Sequence, residues 1–158
     1  MKIRLLILSL LVSVPAFAWQ PQTGDIIFQI SRSSQSKAIQ LATHSDYSHT
    51  GMLVIRNKKP YVFEATGPVK YTPLKQWSDD RQYCSEVVWK VYQNALGMRV
   101  GEQQKLKEFD LSNPLVQAKL KERYGKNIPL EETVVSPQAV FDAPQLTTVA
   151  KEWPLFSW

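Results

Sequence analysis

The apolar positions of this chain come first in short strand-like runs and later at helical spacing. After a Thr23-Gly24-Asp25 turn, Ile26-Ile27-Phe28-Gln29-Ile30 is a short apolar run of strand type. Ser33 or Ser34 can cap a helix through Lys37-Ala38-Ile39-Gln40-Leu41-Ala42. A small, polar stretch from Thr43 to Gly51 leads into Met52-Leu53-Val54-Ile55, a strand. Arg56-Asn57-Lys58-Lys59-Pro60 then turns the chain into a returning strand, Tyr61-Val62-Phe63-Glu64-Ala65. Gly67-Pro68 breaks that strand, and Val69-Lys70-Tyr71 adds a short edge. Residues 84, 87, 88, 91 and 95 are apolar and share one helical face. That helix runs to about Leu96, with Gly97 at its end. Glu102 to Phe109 reads as a polar helix or turn. Asn113-Pro114 opens a helix to Tyr124 that Gly125 closes, and Ser136-Pro137 opens a short one to Phe141. The Pro- and Trp-containing tail reads as irregular chain packing back on the rest.

The N-terminus follows a different logic. Lys2 and Arg4 precede an apolar run from Leu5 to Val14 that is too short to span a bilayer, and Ala16-Phe17-Ala18 supplies a small-residue cleavage site. Residues 1–18 therefore read as a secretory signal peptide and 19–158 as one domain. No cysteine follows the apolar run, so there is no lipoprotein site. The expected destination is the periplasm, with no stable membrane anchor after cleavage. Removing Lys2 and Arg4 from 19 basic residues leaves 17 against 14 acids, a net +3 in place of +5. The basic residues are scattered, so nucleic acid is not an expected partner. There is no Gly-rich phosphate loop, internal repeat or low-complexity tract.

Cys84 is the only cysteine. An exported chain with one thiol forms no internal disulfide, so the thiol is either buried and inert or reactive. Ser78-Asp79-Asp80 supplies capping residues and acids just ahead of it. Cys84 is thus expected in the first turns of its helix, where unpaired N–H groups and the helix dipole favour a thiolate. His49 begins a strand on which 49, 51, 53 and 55 share a face. If the turn after Arg56 has an even number of loop residues, Glu64 lands on that face too; an odd loop sends it to the other. Cysteine, histidine and carboxylate would then be nucleophile, base and orienter. The Cys84 N–H, helped by the Tyr83 hydroxyl, would stabilise an oxyanion. Each residue also has a structural reading: a buried thiol, a satisfied core histidine, a solvent-facing glutamate. The tryptophans and tyrosines read as core or rim. His44, Asp46 and His49 suggest a metal site, but their spacing on extended chain points the two rings apart, so no metal or cofactor is expected.

Gly24-Asp25-Ile26-Ile27-Phe28, Tyr47-Ser48-His49-Thr50-Gly51, Phe63-Glu64-Ala65 and Tyr83-Cys84-Ser85-Glu86-Val87-Val88 together resemble the circularly permuted branch of the NlpC-type papain-like cysteine hydrolases. The likeness covers essentially residues 19–158. It implies an α+β fold, a small antiparallel sheet packed on the helix that carries the nucleophile. It implies Cys84 as nucleophile, His49 as base and Glu64 as the third member, with Tyr83 lining the oxyanion site. Relatives cleave amides in cell-wall peptides or move acyl groups between lipids and amines. The implied reaction is cleavage of an amide or ester in a small-molecule, peptide or lipid-derived substrate. Hydrolysis and acyl transfer share the same acyl-enzyme. In one departure, relatives place a longer stretch between the glutamate strand and the cysteine helix. Here Trp77 runs directly into Ser78, which reads as an internal deletion that leaves the sheet incomplete. The alternatives are a non-catalytic binding module for an amino acid, peptide or lipid headgroup, or an inactive shortened relative.

Overall fold

The computed structural model describes residues 19–65, 68–77 and 85–151. The signal-peptide reading of 1–18, Tyr83 and Cys84, the Trp77–Ser78 junction and the end of the tail from residue 152 all involve positions outside the described residues.

Four strands form an antiparallel meander: β1 (Ile26–Gln29), β2 (His49–Arg56), β3 (Lys59–Ala65) and β4 (Val69–Pro73), in the spatial order β1-β2-β3-β4. Helix α1 (Ser34–Thr43) lies in the β1–β2 connection. Ser33 caps it by accepting the Ser36 N–H, and His44 ends it in the left-handed region at φ 50°. Only Asn57 and Lys58 separate β2 from β3. Both have positive φ, 51° and 61°, as a two-residue type I′ turn requires. Arg56 therefore pairs with Lys59 and Met52 with Phe63. The loop is even, the condition under which Glu64 shares a face with His49.

The two faces of the sheet are covered differently. Ile26, Phe28 and Met52 pack against a cluster of Val88, Val100, Val135, Val140 and Ala143, so this face carries helix α2 (Ser85–Leu96) and the C-terminal segments. Ile27, Leu53 and Val62 face the other way and meet Trp19, Leu74 and Trp77. Among the described residues β4 ends the sheet, and its Val69 and Tyr71 are about half exposed.

Sequence punctuation sets the end of α2, both ends of α3 (Pro114–Tyr124) and the start of α4 (Pro137–Phe141). Gly97 closes α2 at φ 65°, its N–H bonding to the Gln93 carbonyl. Asn113 caps α3 by accepting the Leu115 N–H, and Gly125 ends it. Ser136 caps α4 by accepting the Ala139 N–H. The stretch from Glu102 to Phe109, expected as helix or turn, is a two-residue strand, β5 (Gln104–Lys105), running into a 3₁₀ turn over Leu106–Glu108. Strand β5 pairs with β6 (Thr133–Val134), a pairing two residues long and so without readable periodicity.

The crossing of β2 and β3 leaves no room at Gly51. A Cβ built there would stand 2.4 Å from Val62 Cγ1, a fully buried atom group on a β-branched side chain. Gly51→Ala is expected to cost about 1–3 kcal/mol of stability, as overpacked cores do, measured by urea unfolding against the parent.

Candidate active site

Glu64 is completely buried, and the packing around it supplies donors to both carboxylate oxygens. His49 Nε2 donates to Oε2 at 2.8 Å, and Trp77 Nε1 donates to the same oxygen at 2.8 Å. Thr72 Oγ1 donates to Oε1 at 2.5 Å. These partners come from β2, from β4 and from the turn that follows β4. His49 is the first residue of β2 and is itself fully buried. Thr72 sits on β4 opposite Val62, which puts it on the same face as Glu64 two residues along β3. The 3₁₀ turn over Leu74–Gln76 then folds the chain back and lays Trp77 against the histidine, ring centroids 5.4 Å apart and planes 31° apart.

Burial by itself would push the Glu64 pKa up. Hydrogen bonds from His49, Thr72 and Trp77, together with the charge of His49, outweigh it and hold the carboxyl below its ordinary range. Glu64 is therefore a carboxylate poised as an acceptor. Its contact with Nε2 fixes the orientation of the imidazole and directs Nδ1 away from the carboxylate.

The start of α2 lies at the same end of the sheet as this pair. Ser85, its first described residue, lines one cleft with Ser48, the neighbour of His49, and with Ala65, the neighbour of Glu64. The Ser85 hydroxyl donates to the Val135 carbonyl at 2.5 Å and ties the helix start to the C-terminal segment. The body of α2 covers the Phe28–Met52 face, whereas His49 and Glu64 belong to the opposite face. The helix and the histidine strand thus approach each other around the sheet end.

Of the residues singled out in the sequence, the structure brings His49 and Glu64 into contact, and Cys84 and Tyr83 lie outside the described residues. His44 is elsewhere: its Nε2 is 3.3 Å from Asp110 Oδ2 on the surface. Among the described residues no group of three or more His, Cys, Asp or Glu side chains gathers as a metal cage. Thr72 and Trp77 were not foreseen as partners of Glu64. The signal for Thr72 was its place in β4, an even number of residues from Lys70 on a short polar-alternating strand. Nothing local marks Trp77, whose indole N–H finds the carboxylate only because the 3₁₀ turn reverses the chain.

A small antiparallel sheet with a histidine–carboxylate pair at one end, next to the start of a helix, defines a papain-like architecture in permuted order. The chain belongs to the family described as permuted papain-like amidase enzymes, YaeF/YiiX, whose profile matches residues 20–78 and 75–150. It is 76% identical to the uncharacterized protein YiiX of Escherichia coli strain K12, over all of this chain and all of that protein. That alignment spans 202 positions against 158 residues here, so 44 positions have no counterpart in this chain. The two family segments meet at residues 75–78, the place where the sequence reads as shortened. A crystal structure described as that of metalloprotein yiiX from Escherichia coli O157:H7 superposes with a TM-score of 0.78. It is 74% identical and covers 86% of this chain and 100% of that one.

Proposed function

We propose that the chain is an exported cysteine amidase in which Cys84 is the nucleophile, His49 the base and Glu64 the residue that positions the base. The observation that carries this reading is the buried His49–Glu64 contact at the sheet end where α2 begins. With Nε2 committed to Glu64, Nδ1 is the atom that accepts the thiol proton. The thiolate then attacks the amide carbon, and Tyr83 with the Cys84 N–H steadies the oxyanion. The C–N bond breaks as imidazolium protonates the leaving amine. Water, deprotonated by His49, next attacks the thioester and releases the acid. A leader at residues 1–18 and a periplasmic site of action complete the reading; small-molecule, peptide and lipid-derived amides are its substrate classes.

The family membership supports a hydrolase of this kind. The metal named for the related crystal structure does not fit the residues described here. Glu64 has both oxygens occupied by hydrogen-bond donors, and among the described residues no group of three or more ligating side chains gathers. A second reading, a shortened relative that binds without turnover, draws on the 44 positions this chain lacks.

Labelling with an acyl-transferring thiol probe separates the two. Cys84→Ala is expected to abolish both labelling and amide turnover. Glu64→Gln is expected to slow both by about ten- to a hundredfold, the usual effect of losing a residue that orients a reactive imidazole or ligand. An alkylation rate for Cys84 equal to that of an unstructured thiol at neutral pH would reject the catalytic reading in favour of the binding one.

A further inference from the structure

Glu64 Oε2 accepts two donors at the same distance, His49 Nε2 and Trp77 Nε1, both at 2.8 Å, while Oε1 accepts the Thr72 hydroxyl. Of the three, only the imidazole exchanges its proton with a carboxylate near neutral pH; indole and hydroxyl protons stay where they are. Trp77 also lies over the imidazole, so the indole touches both members of the pair. His49 and Glu64 have no exposure and Thr72 has 3%. Burial of this kind favours a protonated carboxyl, and donors to its oxygens oppose that. Other charged groups on the elements around Glu64 are few among the described residues. Lys70 stands opposite it on β4, and Lys75 lies in the 3₁₀ turn. Glu86 and Lys90 of α2 pair with each other on the surface, and Arg56 and Lys59 lie at the far end of the β2–β3 hairpin. Strand β1 places the uncharged Gln29 opposite His49.

We infer that Trp77 and Thr72 are positioning residues for the base: by holding Glu64 as a pure acceptor, they keep the imidazole proton on Nε2 and leave Nδ1 bare. The use of a bare Nδ1 to take a thiol proton rests on the proposed amidase reading; the placement of the proton on the ring does not. The competing arrangement takes up one proton from solvent. Nε2 gives its proton to Oε2, the incoming proton binds Nδ1, and the neutral carboxyl then donates to Nε2. The ring is neutral in both arrangements, but in the second its outward nitrogen is no longer a base. Burial pulls toward the second by removing a charge from the interior, and raises the Glu64 pKa accordingly. The bonds from His49, Thr72 and Trp77 pull the other way and prevail, because each is stronger to an anion than to a neutral carboxyl. Two of those three bonds come from groups that take no part in proton exchange, so Trp77 and Thr72 act as a fixed bias on where the movable proton sits.

The chain has two histidines, so ¹⁵N-histidine labelling of the full chain gives two ring systems, and His44→Asn assigns them. Protonated and bare ring nitrogens resonate far apart, and the spectrum therefore reads the tautomer. The parent is expected to hold His49 as Nε2–H with bare Nδ1 wherever the ring is neutral. The double variant Thr72→Val with Trp77→Phe removes both donors and keeps an aromatic ring over the imidazole. In it the Nδ1–H form is expected to appear and to grow as pH falls. The acid limb of Cys84 labelling by an acyl-transferring thiol probe is expected to move up by about one pH unit or more, a loss of about tenfold below the limb, and the rates converge at higher pH. Thr72→Ser keeps a hydroxyl and is expected to match the parent in both measurements. If the double variant melts well below the parent, Trp77→Phe and Thr72→Val are read singly, each with a smaller shift in the same direction. An Nδ1–H tautomer in the parent overturns the inference without any variant, and so does a parental tautomer and acid limb in a folded variant. The two readings fail separately. Tautomer control without thiol-dependent labelling removes the amidase and leaves the positioning role. Thiol-dependent amide turnover with the same tautomer and pH profile in parent and variant removes the positioning role and leaves the amidase.

Discussion

Glu64→Ala is expected to lower the unfolding free energy by about 3–5 kcal/mol, the cost of removing one partner from a buried ionic contact. The substitution strands three donors at once, His49 Nε2, Trp77 Nε1 and Thr72 Oγ1. Each loses a charge-assisted bond, and two of the three donors, His49 and Thr72, are buried at 0% and 3% exposure. Glu64→Gln should be milder, about 2 kcal/mol. Its amide oxygen can still accept from His49 and Trp77, and the Thr72 hydroxyl can rotate to accept from the new NH₂ group. What remains lost is the charge. Chemical denaturation of the three proteins at pH 7 checks the order Ala, Gln, parent.

The same carboxylate predicts a pH signature. Its folded pKa lies below the ordinary glutamate pKa of 4.5, so ionised Glu64 contributes stability that is fully present above about pH 4.5. As pH falls through the folded pKa, that contribution disappears. The gap in stability between parent and Glu64→Gln should therefore be constant in the neutral range and narrow in acid. A gap that widened on acidification would mean that Glu64 is held protonated in the fold, contrary to its three donors.

Gly101→Ala is the second large effect expected. Gly101 has φ +93°, and a Cβ there would stand 2.9 Å from Val140 N and 3.0 Å from both Ala139 C and Ala139 O. The obstructing atoms are backbone of α4, which cannot swing aside as a side-chain tip would. Left-handed strain of about 1–2 kcal/mol for an L residue adds to the clash, and together they are expected to exceed about 3 kcal/mol. Gly97→Ala separates the two contributions. Gly97 also has positive φ, +65°, but nothing lies within 4 Å of its would-be Cβ. It should cost about 1 kcal/mol, backbone strain alone. Thermal melts of the two variants side by side give the contrast; equal losses would show that contact with α4 contributes nothing.

Residues of different kinds differ in how far they can be read from local sequence. Ser33, Asn113, Ser136, Gly97 and Gly125 act on N–H and C=O groups a few positions away, so the starts of α1, α3 and α4 and the ends of α2 and α3 follow from the chain itself. His49 at the start of β2 and Glu64 on β3 could be related through strand parity, subject to one unknown, the number of loop residues. Two residues with positive φ settled it. Strands β5 and β6 were missed because a pair two residues long is held by a partner almost thirty positions away. Trp77 illustrates the same difficulty at the site: its bond to Glu64 spans thirteen positions and depends on β4 and the turn after it.

What the sequence by itself determined is the set of local decisions: where helices start and stop, which strand positions alternate together, and which residue types are available for chemistry. Those decisions rest on hydrogen bonds and side-chain directions within a turn or a strand, and a linear string carries them. Only the tertiary structure decided that Glu64 would be a buried anion with three donors, that the histidine would lie on the sheet face opposite the body of α2, and that an apolar cleft would open at the helix start. Desolvation and packing depend on what every other segment covers, and that is a property of the folded chain alone.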